Sequence, residues 1–184
     1  MTLAVKPQVA VYGRGVTLSG TLSNHKVGEN VDVFGQPCGQ TSATKVTTVA
    51  TTTGGLFTVQ VKPLQNTIYT VKVKNSTSNP VSVKVRPRLR LGKVAPHRYS
   101  LRVFAAQSFA GKSASFQRYS GSLRGWVTVR RVILRANATG VAPTVISSAT
   151  FSSRIRARLR VRAVLGQLQV GSCYLAGRSN VIYS

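Results

Sequence analysis

The feature that most constrains the fold is a succession of short segments in which apolar and polar residues alternate, separated by clusters of Gly, Asn, Pro and Thr. A period of two places apolar side chains on one face of a strand and polar side chains on the other. In the first half of the chain this pattern predicts strands at 8–12, 16–22, 30–35, 45–51, 56–61, 68–74 and 81–86. Strands of this length, joined by turns, predict an all-β sandwich.

The second half repeats the same plan from about residue 88. Its predicted inward side chains are Leu89, Leu91, Tyr99, Leu101, Val103, Val127, Val129, Ile155, Leu159 and Val161. A weak internal repeat supports two units, because GENVDVF near residue 28 matches GKSASF near residue 111. We therefore predict two sandwich domains in tandem, 1–87 and 88–184.

Several motifs spread over nearly the whole chain resemble a known group. They include VTLSGTL, GENVDVFGQPCGQ and TTTGGLFTVQVKP, followed by FAGKSASFQRY, GWVTVRRVIL and GSCYLAGRSN. These segments resemble the immunoglobulin-like repeats of exported actinobacterial proteins. The resemblance implies two tandem immunoglobulin-like β-sandwich domains and an extracellular or cell-surface location. Met1 is then expected to begin a trimmed chain, since no secretory signal follows it.

The inventory of chemically reactive residues is small, with two acids and two histidines in 184 residues. Proton transfer, hydrolysis and metal binding usually require such groups, so we expect no enzyme, no cofactor and no metal site. His25, Glu29 and Asp32 are close in sequence, but they straddle a turn and the start of a strand. His97 is expected to be a loop residue.

The charge is strongly one-sided, with 26 Lys and Arg against Glu29 and Asp32, a net charge of +24. Up to Pro87, seven Lys and two Arg with both acids give +7, whereas the two Lys and fifteen Arg that follow give +17. Such a surface attracts nucleic acid, anionic lipid or anionic polysaccharide. The alternative interpretation is a solvated surface whose charge serves solubility alone.

The segment RIRARLRVR concentrates this charge in the second half. If it forms one strand, period two places Arg154, Arg156, Arg158, Arg160 and Arg162 on one face as a polyanion-binding ladder. The resemblance instead implies two strands with an intervening turn here. Tyr119, Trp126 and Phe151 are interpreted equally well as core or turn residues, which argues against single-strand nucleic-acid binding by stacking.

The chain has two cysteines, one in each predicted domain. In an immunoglobulin-like sandwich, Cys38 would follow the third strand, and Cys173 would lie in the loop between the sixth and seventh strands. Those positions lie at poles that meet when two such domains are stacked, which predicts a Cys38–Cys173 disulfide. Two buried thiols and intermolecular cross-links remain alternatives.

We therefore expect a non-enzymatic extracellular structural or adhesive module, either a surface-protein segment or a self-assembling fibre subunit. The alternatives are a polyanion-binding protein, with nucleic acid or an anionic wall polymer as ligand, and a viral capsid-decoration protein. No integral membrane segment is expected, because no apolar run approaches about 18 residues.

Overall fold

The chain folds into antiparallel sheets. A computed structural model describes the backbone of residues 1–184 and the side chains of residues 1–135 and 140–184. Strands and turns account for almost all of it, so the predicted all-β class is confirmed. Two compact units are present, Met1–Val85 and Arg86–Ser184. This division falls two residues before the boundary predicted after Pro87.

The strands of the first unit are β1 (Ala4–Lys6), β2 (Val9–Val11), β3 (Val16–Thr21), β4 (Asn30–Pro37), β5 (Thr44–Ala50), β6 (Leu56–Val61), β7 (Thr67–Val73), β8 (Ser76–Thr77) and β9 (Val81–Arg86). One sheet has the order β1-β3-β6, and the other has the order β2-β9-β7-β4-β5, with β8 paired to β7. Every strand predicted in this half is present, while β1 and β8 were not predicted.

Both sheets of the first unit contribute to one hydrophobic core. Leu18 and Phe57 come from one sheet, and Val33, Val71 and Val83 come from the other. All five side chains are buried. Burying each such side chain stabilises the fold by about 1.5–3 kcal/mol. The alternation read from the sequence thus produces two layers that share one apolar interior.

The strands of the second unit are β10 (Arg88–Ala95), β11 (Arg98–Ala105), β12 (Ser113–Ser120), β13 (Gly125–Ile133), β14 (Arg135–Thr139), β15 (Val145–Ser152), β16 (Arg160–Leu165), β17 (Gly177–Arg178) and β18 (Ile182–Tyr183). A short helix, α1 (Gln167–Val170), follows β16. The two sheets have the orders β10-β11-β15-β14 and β13-β12-β16-β17, with β18 also paired to β16.

An aromatic cluster joins the two sheets of the second unit. The ring centroids of Tyr99 and Phe116 lie 4.9 Å apart, and those of Phe116 and Phe151 also lie 4.9 Å apart. Tyr99 and Phe151 face each other across β11 and β15, whereas Phe116 belongs to the opposite sheet on β12. Rings at this separation add about 0.5–1.5 kcal/mol per pair beyond their burial.

One of the two inward positions predicted on β13, Val129, is wrong. Val127 is half-buried and Val129 is exposed, because β13 is an edge strand and its register with β12 shifts between Phe116 and Gln117. The extra residue of such a bulge reverses the facing of the residues after it. Val132 and Leu134 therefore provide the buried side chains of this segment. Leu159 is half-buried, whereas the remaining predicted inward residues are buried.

The part of the chain that the structure describes contains no helix whose length and apolar character would suffice for a membrane span.

The turn before β6 generates a prediction about stability. Gly54 and Gly55 have φ angles of 77° and 70°, in the left-handed region that glycine favours. A Cβ on Gly55 would lie 2.7 Å from the His25 Cα, whereas a Cβ on Gly54 would meet nothing within 4 Å. Gly54→Ala should cost about 1 kcal/mol of strain. Gly55→Ala should cost clearly more, above about 3 kcal/mol, because a backbone clash adds to that strain.

Urea unfolding of the two variants beside the unsubstituted chain measures both costs. Equal losses of stability in Gly54→Ala and Gly55→Ala would contradict the close approach of His25.

Candidate anion-binding surface

The outward face of one sheet in the second unit combines arginine and aromatic side chains. Cross-strand pairing sets Gln117 of β12 opposite both Thr128 of β13 and Arg162 of β16. Alternate residues along these strands share the same face. The side chains of this surface, which we term the arginine–aromatic face, are Gln117, Tyr119, Trp126, Thr128, Arg160, Arg162 and Arg178. The intervening residues Phe116 and Val161 are buried in the core.

The rings of this face are in contact with guanidinium groups. Tyr119 and Trp126 pack edge to face, with their ring centroids 5.6 Å apart. The Arg162 guanidinium lies 4.1 Å from the centroid of the Trp126 ring. Arg160 lies 5.3 Å from the ring of Tyr119 and 5.9 Å from that of Trp126. Each such contact stabilises by about 0.5–1 kcal/mol at an exposed site, so the rings hold both arginines in place.

Arg162 is the most constrained cation of the face. Its Nε donates to Gln117 Oε1 at 2.9 Å, and Gln117 Nε2 donates in turn to Thr128 Oγ1 at 3.3 Å. Partial burial lowers the pKa of the Arg162 guanidinium, and the positive charge of Arg178 lowers it further. Guanidinium nevertheless stays protonated in proteins. Arg162 is therefore a half-buried charge whose own unit supplies rings and an amide rather than a counter-ion.

Negative side chains are confined to the first unit. Lys74 Nζ lies 2.8 Å from Glu29 Oε1, and Lys45 Nζ lies 2.6 Å from Asp32 Oδ1. Hydrogen bonds from these lysines are the main cause of a lowered pKa at both carboxyl groups. From Arg86 onward, sixteen Arg and two Lys are accompanied by no Asp or Glu. No carboxylate side chain of the second unit can therefore neutralise its cations.

The five arginines predicted to form one ladder do not share a strand. β15 ends at Ser152 and β16 begins at Arg160. The connecting residues 153–159 carry Arg154, Arg156 and Arg158, whose side chains are exposed. The interpretation as a single strand is therefore wrong, because the segment consists of a loop with a turn followed by the start of β16. Arg160 and Arg162 alone retain the predicted alternation on β16.

Local hydrogen bonds explain why the extended conformation is interrupted. Arg158 has a φ of 63°, which ends an extended run, and its backbone N donates to Ser184 O at 3.2 Å. Ser184 Oγ donates to Arg156 O at 2.6 Å. Ile155 is buried and anchors the loop to the core. These contacts bend the segment away from the straight path that a five-arginine ladder would need.

Cys38 and Cys173 are both disulfide-bonded. The chain contains only these two cysteines, so the bond joins Cys38 to Cys173 and the predicted pairing is confirmed.

Among the described residues, no group of three or more His, Cys, Asp and Glu side chains could hold a metal ion. His25 Nδ1 lies 3.0 Å from Gly54 O, Glu29 pairs with Lys74, and Asp32 pairs with Lys45. These three residues therefore do not share a site.

Sequence reasoning missed part of this surface. Tyr119 and Trp126 lie on the arginine–aromatic face, whereas Phe151 belongs to the core. The period-two pattern of SFQRYS and GWVTV contained a usable signal, because Tyr119 and Trp126 alternate with core-facing positions. Arg178 gave no such signal, since β17 comprises only Gly177–Arg178.

Comparison with known proteins identifies no relative, because the chain matches no family model and no curated protein. The arrangement of residues therefore carries the functional argument.

The stacking of Arg162 on Trp126 generates a spectroscopic prediction. Trp126 is the only tryptophan of the chain, so its fluorescence reports on this face alone. Arg162→Gln should expose the indole and shift its emission to longer wavelength, with a stability loss of about 1 kcal/mol. The matched control is Arg154→Gln, which removes one charge from the exposed loop and should leave the spectrum unchanged. Identical spectra for both variants would contradict the stacking.

Proposed function

We propose that this protein is an exported, non-enzymatic adhesive module, built from two tandem immunoglobulin-like sandwiches, that binds an anionic polymer through its second unit. The family resemblance and the antiparallel sheets support the tandem immunoglobulin-like assignment. The Cys38–Cys173 disulfide supports export, because disulfides persist in oxidising compartments. The scarcity of acids and histidines supports a binding role over catalysis.

The binding proposal depends on how the positive charge of the second unit is arranged. Eighteen cationic side chains from Arg86 onward have no carboxylate side chain in their unit. Three of these arginines lie on one sheet face. Charge kept only for solubility would be dispersed and freely solvated. Arg162 is instead half-buried, stacked on Trp126 and hydrogen-bonded to Gln117. An anionic ligand supplies the counter-charge that the unit itself lacks.

The ring contacts also prepare these arginines for binding. A guanidinium is planar and donates through its edge, which matches carboxylate, sulfate and phosphate groups in a bidentate geometry. Stacking on Trp126 and Tyr119 restricts the Arg162 and Arg160 side chains before a ligand arrives. Each long side chain that is already ordered saves about 0.5–1.5 kcal/mol when a complex forms.

Neutralising the face tests the proposal. The triple substitution Arg160→Gln, Arg162→Gln and Arg178→Gln should weaken binding to heparin at least thirtyfold at low salt, because three charge-assisted contacts are lost. The slope of log affinity against log salt should fall by about one for each contact. Titration calorimetry at several salt concentrations measures both quantities.

The matched control removes the same charge from the other sheet of the same unit. Arg90, Arg98 and Arg102 are exposed on β10 and β11. Replacing all three by Gln lowers the net charge of the protein by the same three units as the first triple substitution. This control should retain most of the affinity. Equal losses in the two triples would show that net charge alone attracts the polymer, and the arginine–aromatic face would then not be a site.

A second candidate function is a self-assembling structural subunit, which includes a fibre or capsid-decoration role. It is favoured by β5, an edge strand of the first unit whose seven residues include one charge, Lys45. Edge strands with few charges pair readily with other chains. For this candidate, sedimentation should show mass rising with concentration, and Val46→Lys should abolish the rise. Monomers at every concentration would remove it.

A further inference from the structure

A β-bulge at Val129 precedes two adjacent arginines of β13. Thr128 pairs with Gln117, whereas Arg131 pairs with Ser115, because the register shifts by one residue between them. Ser115 and Gln117 lie two positions apart on β12, so Arg131 shares the outward face with Thr128. The bulge therefore places Arg131, rather than Arg130, on the arginine–aromatic face.

Arg130 takes the opposite direction. It pairs with Phe116, whose side chain is buried in the core, and its Nη1 donates to the Ser152 carbonyl at 2.5 Å. Ser152 ends β15 in the other sheet of the unit. The Arg130 side chain therefore reaches from the edge strand β13 to the end of β15 in the opposite sheet.

A groove of about 620 Å³ opens at this side of the second unit. Three arginines line it, Arg130 and Arg131 from β13 and Arg135 from the start of β14. Ser148 and Thr150 of β15 contribute polar side chains. The arginines have no acidic side chain within their unit. The groove is thus a concave basic site, and Arg131 connects it to the arginine–aromatic face.

The arginine–aromatic face is longer than a site for one small anion needs to be. Arg178 lies on β17, Arg160 and Arg162 on β16, Tyr119 on β12, and Trp126 on β13, so the face crosses neighbouring strands of one sheet. Three strand spacings correspond to about 14 Å before the groove begins. A surface of this length suits a linear polymer rather than a single small anion.

The contacts that the aromatic rings of the face already make indicate which class of polymer it binds. Single-stranded nucleic acids are bound by stacking bases on free aromatic faces. Trp126 already stacks with Arg162, and Arg160 lies close to the ring of Tyr119. Tyr183 pairs with Arg160 across β18 and β16 and keeps a side chain that is 65% exposed. A sugar ring can rest its apolar side on such a phenol while its acidic group reaches a guanidinium edge.

We infer that the arginine–aromatic face and the groove at Arg130, Arg131 and Arg135 form one continuous track for a linear acidic polysaccharide bearing carboxylate or sulfate groups. This inference rests on the proposed binding of an anionic polymer. It adds the ligand class and a second contact region that a short chain cannot reach from the face.

Chain length provides the test. The probes are heparin tetrasaccharide and dodecasaccharide, with carboxylated galacturonate oligomers of the same two lengths to distinguish sulfate from carboxylate recognition. Calorimetry gives the affinity, and Trp126 fluorescence reports occupancy of the face. We expect the dodecasaccharide to bind at least tenfold more tightly than the tetrasaccharide, and both to change the fluorescence, because both contact the face.

The groove variant is Arg130→Gln with Arg135→Gln, because Arg130 lines the groove but lies off the arginine–aromatic face, and its matched control is Arg154→Gln with Arg156→Gln on the exposed loop. The groove variant should bring dodecasaccharide affinity to within threefold of tetrasaccharide affinity and leave the latter unchanged. The control should preserve the length dependence. If the groove variant keeps the full preference for the dodecasaccharide, the inference of one continuous track is overturned.

Nucleic acids separate failure of this inference from failure of the proposed function. Oligothymidylate or a duplex of 20 base pairs that binds more tightly than either polysaccharide at equal salt overturns the polysaccharide assignment and leaves anionic-polymer binding intact. Weak binding of all probes, unaffected by neutralising Arg160, Arg162 and Arg178, overturns both.

Discussion

The second unit must accommodate eighteen cations without one carboxylate side chain. The cationic side chains of this unit are accommodated in three ways. Guanidinium groups lie beside aromatic rings, as Arg162 does on Trp126 and Arg88 does on Phe104. Others donate to amide or carbonyl oxygens, as Arg130 does to Ser152. Many of the others are exposed to water, where like charges are screened over about 10 Å. None of these arrangements neutralises charge, so the unit retains its attraction for anions.

This arrangement of the cations requires that the inward face of each sheet be apolar. Phe116 and Val161 fill the interior, which leaves their neighbours Gln117 and Arg162 on the outside. The same alternation that buries the apolar residues therefore brings the arginines and rings together on one face. Fold and candidate site are consequences of one pattern, and a variant that slips the register would lose both.

The pattern predicted the strands of the first unit well, because turns rich in Gly, Asn and Pro separate them clearly. It failed where local backbone events break the period. The bulge beside Gln117 displaced the inward position that Val129 was expected to occupy. The turn at Arg158 divided a segment whose alternation continues unbroken in the sequence. Convergence of Tyr119, Trp126 and Arg162 depends on which strands pair, and sequence periodicity does not determine strand order.

The bulge in β13 also determines how insertions and deletions would act here. Deleting Val129, the residue that the bulge leaves unpaired, would restore a regular ladder and keep Arg130 opposite Phe116 and Arg131 opposite Ser115, so neither arginine would change face. The core on β12 and β16 would be untouched. The strand can therefore lose one residue at the bulge without exchanging its inward and outward arginines, whereas a β13 that kept Val129 but closed the bulge would turn Arg131 inward and Val132 outward.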